Sequence, residues 1–457
     1  MLTLTDVVNE KGQEVEYLIP QILVPPLGLL YIGQILSDNG YNVKVYDHTV
    51  TGDSNSTIMK LIKKLDPKIV GFSMMVDNIW TTIDLMKRLK SWNPNITTVA
   101  GHILASFFPE KMMKEIDFDF CVRGEGEYTF LNLVDYLFKK KTDFKEIKGI
   151  AYRENGTIKT TSLPEQVKNI DELPIPDRKL IDFNYGLSHK STSMMTSRGC
   201  PFKCRFCVNS IVMGKAWRPR SAKNVVEEIK LLKDEGYKDI FFIDDNMTLS
   251  KKRTFQICAG IKRDQLDDIQ YTGNCRVDNV SLTLFRALVS CNFKEILFGL
   301  ESGVQRILDY YKKGITVSQI EQAIKTAKKS GLEIIFGSFV FGAPDETYTE
   351  ALQTLKLALK LKLHYMVLQI LVVIPMSPIY QELVDKKLYT PREDDWKRVF
   401  NVPEICPTAI PMEKLVRIID EGFIHSFKKR GLIKYIFDAL KNTYYLDNVI
   451  NSIRNLT

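Results

Sequence analysis

The sequence predicts an α/β protein: an N-terminal doubly wound domain, then a partial (β/α)6 barrel of the TIM type, then a helical C-terminal region. Three observations predict it. Short β-rich segments alternate with helical periods in two separate runs, a proline-punctuated stretch divides the runs, and polar residues recur where the strands of the second run end. The ranges that follow are 1–148 for the first domain, 149–188 for a hairpin and linker, 189–385 for the barrel and 386–457 for the helical region.

A chain of 457 residues with 45% hydrophobic content has ample material for two or three packed cores, which excludes a disordered or fibrous protein. Its 63 basic and 55 acidic residues leave a formal charge of +8 without a long basic run. That excess suits anionic small molecules or a membrane surface as well as nucleic acid. The longest uncharged stretch, Tyr17 to Leu36, is broken by Pro20, Pro25, Pro26, Gly28 and Gln34, and reads as a buried loop and helix. Asp6 and Glu10 precede any apolar run, unlike a secretory leader, so the expected location is cytoplasmic.

In the first run, YNVKVYD (41–47), KIVGFSMMV (68–76), ITTVAGH (96–102) and FDFCVRG (118–124) read as strands. Helical periods fit LGLLYIGQILSDNG, NSTIMKLIKKL, NIWTTIDLMKRLKSW and GEYTFLNLVDYLFKK between or after them. A mostly parallel sheet results, with its ligand beyond the carboxyl ends of the strands. GIAYRENGTIKTT (149–161) reads as a hairpin turning at Asn155-Gly156, and DELPIPDRKLIDF (171–183) as an extended linker.

The second run gives six strand candidates: SMMTSRGC, DIFFIDD, IQYTGNCR, EILFGLES, EIIFGSFVFG and HYMVLQILVVIP. Helices such as SAKNVVEEIKLLKDEG and VSQIEQAIKTAKKSG separate them. Asp244, Asp245, Arg276, Glu301, the loop after Gly342 and a cysteine cluster each end a strand, and so gather on the face where such barrels place active sites.

That cluster is TSRGCPFKCRFCVNS, with Cys200, Cys204 and Cys207 inside eight positions. The other five cysteines (Cys121, Cys258, Cys275, Cys291 and Cys406) stand singly in apolar or strand-like surroundings and read as small core residues. Soft thiolates select zinc or iron-sulfur, and a structural zinc would want a fourth ligand, for which His189 is the nearest candidate. Three thiolates on a four-iron cluster instead leave one iron open. Arg198, Lys203 and Arg205 are expected to lower the thiol pKa values, and Pro201, Phe202 and Phe206 to exclude water or simply to pack.

The spacing of Cys200, Cys204 and Cys207, with Phe206 before the last, resembles the signature of the radical S-adenosylmethionine (SAM) enzymes. The resemblance implies a [4Fe-4S] cluster whose open iron chelates SAM. Electron transfer would cleave SAM to a 5′-deoxyadenosyl radical, which abstracts hydrogen from an unactivated carbon. FIDDNMT looks like the second-strand element near SAM, placing Asp244 and Asp245 there, with a turn and helix cap as the other reading. GLESG places Glu301 near SAM; Arg276 pairs with a carboxylate or holds a structural salt bridge. FVFGAPDET resembles the segment beside adenine, and with its acidic residues off the usual glycine spacing only backbone contact, at Gly342, is implied. WRPRS (217–221) is familiar in the same family, with surface or packing as its alternative.

The domain order, PPLGLLYIGQIL, ELPIPDR and RGEGE resemble the cobalamin-binding subclass, whose first domain is Rossmann-like. No D-x-H-x-x-G occurs, and Asp47 and His48 are adjacent, so cobalamin would lack a histidine ligand from that motif. AGHILAS has one glycine where two are usual, with His102 displaced by a position. Expected cobalamin contacts are Ser73, Gly101, Gly124 and Glu125; an empty or repurposed domain is the rival reading.

The final KKRGLIKYIFDALKNTYYLDNVINSIRN is basic and amphipathic, and reads as a helical subdomain closing the barrel or as a surface for membrane contact. No second cysteine cluster and no compact basic, aromatic-interleaved terminal domain are present, which argues against sulfur insertion and tRNA modification. A hydrophobic small molecule such as a lipid or isoprenoid remains as substrate, with ferredoxin or flavodoxin as electron donor and no nucleic acid. The expected chemistry is C-methylation or C–C bond formation; cobalamin-independent cyclisation, dehydrogenation or rearrangement, and a non-catalytic sensor, are the alternatives.

Overall fold

The computed structural model describes residues 2–8, 14–20, 25–139, 143–181, 191–398, 400–401 and 410–430. They fall into two compact units, Met1–Lys168 with Glu172–Tyr185, and Asn169–Asp171 with Gly186–Thr457.

The first unit opens on an antiparallel pair, β1 (Leu2–Val8) and β2 (Glu14–Pro20), so Tyr17 to Pro20 is strand rather than the expected loop. Pro26 then leads into the helix Leu27–Asp38, which buries Leu27, Leu30, Tyr31 and Ile35 on one face. The sheet follows in the order β3 (Ile69–Ser73), β4 (Thr97–Gly101), β5 (Phe120–Val122), β6 (Ile150–Glu154) and β7 (Thr157–Thr160). The first three strands are parallel and the last two antiparallel. Helices Asn55–Leu65, Ile79–Trp92 and Glu127–Lys139 stand where their apolar periods predict. Asn155 and Gly156 take φ of 49° and 76°, the doubly left-handed turn of a two-residue hairpin. That hairpin, read from sequence as the start of a linker, is the edge of this sheet.

YNVKVYD is not a strand. Within it only Val45 makes a bridge, to Ile181, with its N–H on the Leu180 carbonyl. The β-like alternation buries Val45, but its backbone partner is the linker, so tertiary context overrides local propensity.

The second unit is a six-stranded, wholly parallel sheet in the order β15-β14-β13-β12-β11-β8. These are β8 (Ser191–Met194), β11 (Asp239–Phe242), β12 (Gln270–Cys275), β13 (Phe293–Glu301), β14 (Ile334–Phe341) and β15 (Tyr365–Ile370). Two short ribbons join them: β9 (Ser197–Arg198) with β10 (Arg218–Pro219), and β16 (Val372–Val373) with β17 (Phe400–Asn401). All six predicted strands have a counterpart, although SMMTSRGC overlaps β8 only at Ser193 and Met194 and its Ser197–Arg198 falls in the β9 ribbon. Ile296, Phe298 and Leu300 of β13, and Ile335, Phe339 and Phe341 of β14, pack outward on the helices in the main core. By the two-residue period of a strand, Leu297, Gly299, Phe336, Ser338, Val340, Tyr365, Val367 and Gln369 then face inward.

After helix Pro378–Asp385 the chain is not continuously helical as expected. Asp395 collects the hydroxyls of Tyr380 and Tyr389 at 2.7 and 2.6 Å around a short 3-10 turn, before β17 and the helix Met412–Arg430. The turn-forming run from Pro391 to Asp395 explains the break. Cys121, Cys258, Cys275 and Cys291 are buried as expected. Cys406, His189 and the basic tail beyond residue 430 lie outside the described residues. No helix among the described residues is long and apolar enough to cross a membrane.

Candidate active site

The cysteine loop leaves the C-terminal end of β8 and is pinned at its base. Cys200 N–H donates to the Gly214 carbonyl at 3.1 Å. Gly199 has φ 85°, and a Cβ there would stand 2.1 Å from the Ala216 carbonyl oxygen, so the position admits only glycine. WRPRS takes its packing role: Arg218 donates to the Met213 carbonyl, and the buried Arg220 bonds the Met195 carbonyl at 2.9 Å and pairs with Glu228.

Asp244, 1% exposed, ties strand β11 to that base. Its Oδ1 accepts the Thr196 N–H, and its Oδ2 accepts the hydroxyls of Thr196 and Ser197, all at 2.6 Å. Both oxygens are therefore engaged within the protein. The neighbouring Asp245 is exposed and accepts the Asn209 amide at 2.6 Å, while the Asn209 backbone N–H points to Cys207 Sγ at 3.4 Å.

Arg276 lies over Phe202 of the loop, its guanidinium carbon 3.6 Å from the ring centroid. It also forks onto Asp278 at 3.0 and 2.8 Å and donates to the Lys313 carbonyl at 2.6 Å. The salt bridge and the approach to the loop thus coexist. Glu301, at φ 62° beside a register shift in β13, forms a buried ion pair with Lys313 at 2.7 Å. A Cβ on Gly299 would meet Glu301 Oε1 at 2.5 Å, so this glycine makes room for the pair. Phe206 stands edge-on to the buried Tyr311 ring, centroids 5.1 Å apart.

Gly342 follows β14 at φ 89°, and the Glu346 carboxylate accepts its N–H at 2.6 Å and that of Ala343 at 3.1 Å. The acidic side chain set aside on spacing grounds therefore shapes this loop. Burial pushes the Glu346 carboxyl up to about 7 although both backbone donors pull it down. The folded chain then binds this proton more tightly than the unfolded one, so stability falls as pH rises from the usual glutamate value of 4.5 to about 7, by roughly 3 kcal/mol in all. Glu346→Gln is expected to flatten that slope in thermal unfolding; a slope equal to that of the parent protein would refute the assignment.

At two of the thiols burial outweighs the nearby cations: it raises Cys200, which Arg276 pulls the other way, and pushes Cys207 up to about 11, so metal binding must displace their protons. Among the described residues no three His, Cys, Asp or Glu side chains converge enough to share one metal ion. A four-iron cluster asks less, because each thiolate takes its own iron, and three part-buried thiols on one pinned loop fit that donor set.

In the first unit, Ser73, Gly101, Gly124 and Glu125 lie at or just beyond the C-terminal ends of β3, β4 and β5. The Ser73 carbonyl accepts the Asn78 amide at 2.7 Å, and the Gly101 carbonyl accepts the Met74 N–H at 3.0 Å. Gly124, at φ 78°, donates its N–H to the Ser106 hydroxyl at 3.1 Å, while Glu125 Oε2 accepts the Val167 N–H at 2.7 Å. His102 begins the next helix at φ 74°, a conformation ordinarily left to glycine. Loops at the carboxyl ends of parallel strands suit a ligand such as cobalamin.

Sequence reasoning missed Lys313, Tyr311, Thr196, Ser197 and Glu346 as site residues; Thr196, Ser197 and Glu346 lay inside segments already singled out, Lys313 and Tyr311 did not. Comparison with known proteins adds the following. The B12 binding domain model matches residues 21–134, and the Radical SAM superfamily model residues 194–358. An uncharacterised methyltransferase of Pyrococcus horikoshii is 35% identical over 423 residues, covering 91% of this chain and 90% of that one. An anaerobic magnesium-protoporphyrin IX monomethyl ester cyclase of Rubrivivax gelatinosus is 28% identical over 429 residues, covering 90% and 75%. Among solved structures, the radical S-adenosylmethionine methyltransferase TsrM of Kitasatospora setae, determined with tryptophan substrate and a SAM analogue, superposes with a TM-score of 0.70 over 80% of this chain and 74% of that one. At 18% identity that likeness concerns the fold.

Proposed function

Because the chain belongs to the radical SAM superfamily, with a B12 binding domain ahead of the barrel, we propose that it reductively cleaves SAM to functionalise an unactivated carbon of a hydrophobic small molecule, by C-methylation or C–C bond formation. The observation that carries the reading is the pinned three-thiol loop at the C-terminal end of a six-stranded parallel barrel. When bound, the [4Fe-4S] cluster supplies single electrons and an open iron for SAM, and cobalamin supplies a methyl carrier.

In this assignment Cys200, Cys204 and Cys207 hold the cluster, and Phe206, Asp245, Arg276, Glu301 and Gly342 border the SAM site. Asp244, whose oxygens accept three hydrogen bonds from the base of the loop, orders that loop and is assigned with Asp245 to the SAM site. Cobalamin is assigned to Ser73, Gly101, Gly124 and Glu125, without a histidine ligand from a D-x-H-x-x-G motif. The inward row of Leu297, Phe336, Val340, Tyr365 and Val367, with Glu295, Ser338 and Gln369 among its polar members, supports an apolar substrate body carrying a hydrogen-bonding group. A lipid or isoprenoid fits that description, and a small acidic redox protein such as ferredoxin or flavodoxin fits the need for single electrons. The relationship to a ring-forming cyclase keeps C–C bond formation beside methyl transfer.

The test is anaerobic reconstitution with iron, sulfide and cobalamin, then reduction with SAM present. 5′-Deoxyadenosine together with S-adenosylhomocysteine and bound cobalamin supports a methylase; deoxyadenosine alone supports C–C bond formation. Neither product from protein that has taken up its cluster would overturn the proposal.

A further inference from the structure

Arg205 sits between Cys204 and Cys207, and a helix from beyond the barrel grips it. Its backbone N–H donates to the Tyr311 carbonyl at 2.9 Å, and its carbonyl accepts the Ile379 N–H at 3.3 Å. Its guanidinium lies over the Tyr310 ring, 4.5 Å from the centroid, and ion-pairs with Glu382. Tyr310 donates its hydroxyl to the same carboxylate at 2.8 Å, and Lys386 approaches the other oxygen at 2.6 Å. Arg205 and Glu382 are 18% and 16% exposed, so water screens their charges only in part.

Glu382 belongs to the helix Pro378–Asp385, which starts on a Ser377 cap with proline in its first turn. The segment matched to the radical SAM superfamily ends at residue 358, so this helix lies outside it. Its Ile379 and Leu383 form a small core with Tyr311, Val340 and Leu371, against which Phe206 packs. The residue between two cluster ligands is therefore fixed at its N–H, its carbonyl and its guanidinium, and its positive charge is set against one carboxylate.

We propose that the Arg205–Glu382 pair sets the reduction potential of the iron-sulfur cluster, with Glu382 a positioning residue that acts through Arg205. The proposal rests on the reading of Cys200, Cys204 and Cys207 as cluster ligands. One-electron reduction adds a negative charge to the cluster, so a nearby uncompensated cation favours the reduced state and a compensated one favours it less. Glu382→Gln keeps the shape of the helix contact but frees the Arg205 charge, which is expected to move the potential to more positive values. Arg205→Gln removes the cation and is expected to move it to more negative values. Arg205→Lys keeps the charge and should stay near the parent.

The measurement is a potentiometric titration of the reconstituted full-length protein without SAM, followed by EPR of the reduced cluster, with iron and sulfide quantified in each sample. Opposite shifts in the two Gln variants at full iron content support the proposal. No shift, or shifts of one sign, overturns it. If Arg205→Gln alone loses iron, Glu382→Gln decides by its own positive shift or the lack of one; if both lose iron with the fold intact by circular dichroism, the pair only holds the loop and the proposal fails. A parent protein that takes up no four-iron cluster overturns the ligand assignment instead, before any variant is compared.

Discussion

Alanine at Cys200, Cys204 or Cys207 is expected to abolish both the iron-sulfur absorbance near ~400 nm and SAM cleavage, each to background. No other thiol can substitute among the described residues. Cys121, Cys258, Cys275 and Cys291 are buried in the cores, and burial pushes Cys121 and Cys275 up to about 12. The three ligands differ in their surroundings: Cys200 is anchored through its N–H to Gly214, and the Cys207 N–H closes a turn on the Cys204 carbonyl at 3.2 Å. Removing any one thiol leaves two ligands for a cluster that already has one iron without a protein ligand. Iron and sulfide analysis with 5′-deoxyadenosine quantification checks this, and an alanine variant that still cleaves SAM would sink the assignment.

The second large effect is expected at Asp244, which touches neither iron nor thiol. Asp244→Ala strands the buried Thr196 N–H and the hydroxyls of Thr196 and Ser197, three donors that lose their acceptor at once. At about 1 kcal/mol or more for each, the loss is about 3 kcal/mol or greater. Thr196 and Ser197 lead directly into Gly199 and Cys200, so the released segment is the one that aims the cluster ligands. Denaturant unfolding of the apo-protein should show the stability loss, and reconstitution should show reduced iron uptake. Asp244→Asn, which keeps one oxygen acceptor, should fall between; an alanine variant with parental stability and iron content would show that the anchor is dispensable.

Much of the architecture was legible because it rests on local patterns. The six barrel strands and the helices between them follow from hydrophobic period and cap residues, as at Thr316 and Thr347, whose capping boxes open their helices. YNVKVYD shows the limit: its alternation is strand-like, yet no sheet neighbour lies beside it, and a strand exists only through its partner. The pair β1 and β2 was missed for the converse reason, since nothing in Leu2–Val8 or Glu14–Pro20 says that each pairs with the other.

The sequence by itself determined that the three thiols of the proposed cluster site stand together, because within eight residues the covalent chain holds them close whatever surrounds them. It likewise determined the turn at Asn155-Gly156, where backbone conformation selects the residue. Only the tertiary structure decided what the charged side chains do. Arg205 meets Glu382 across 177 positions, and Asp244 meets Thr196 across 48. Glu301 closes on Lys313 instead of standing open, and Glu346 turns inward onto Gly342. Long polar side chains take whichever buried donor or acceptor the packed fold brings near, because leaving one unpaired costs more than any local preference.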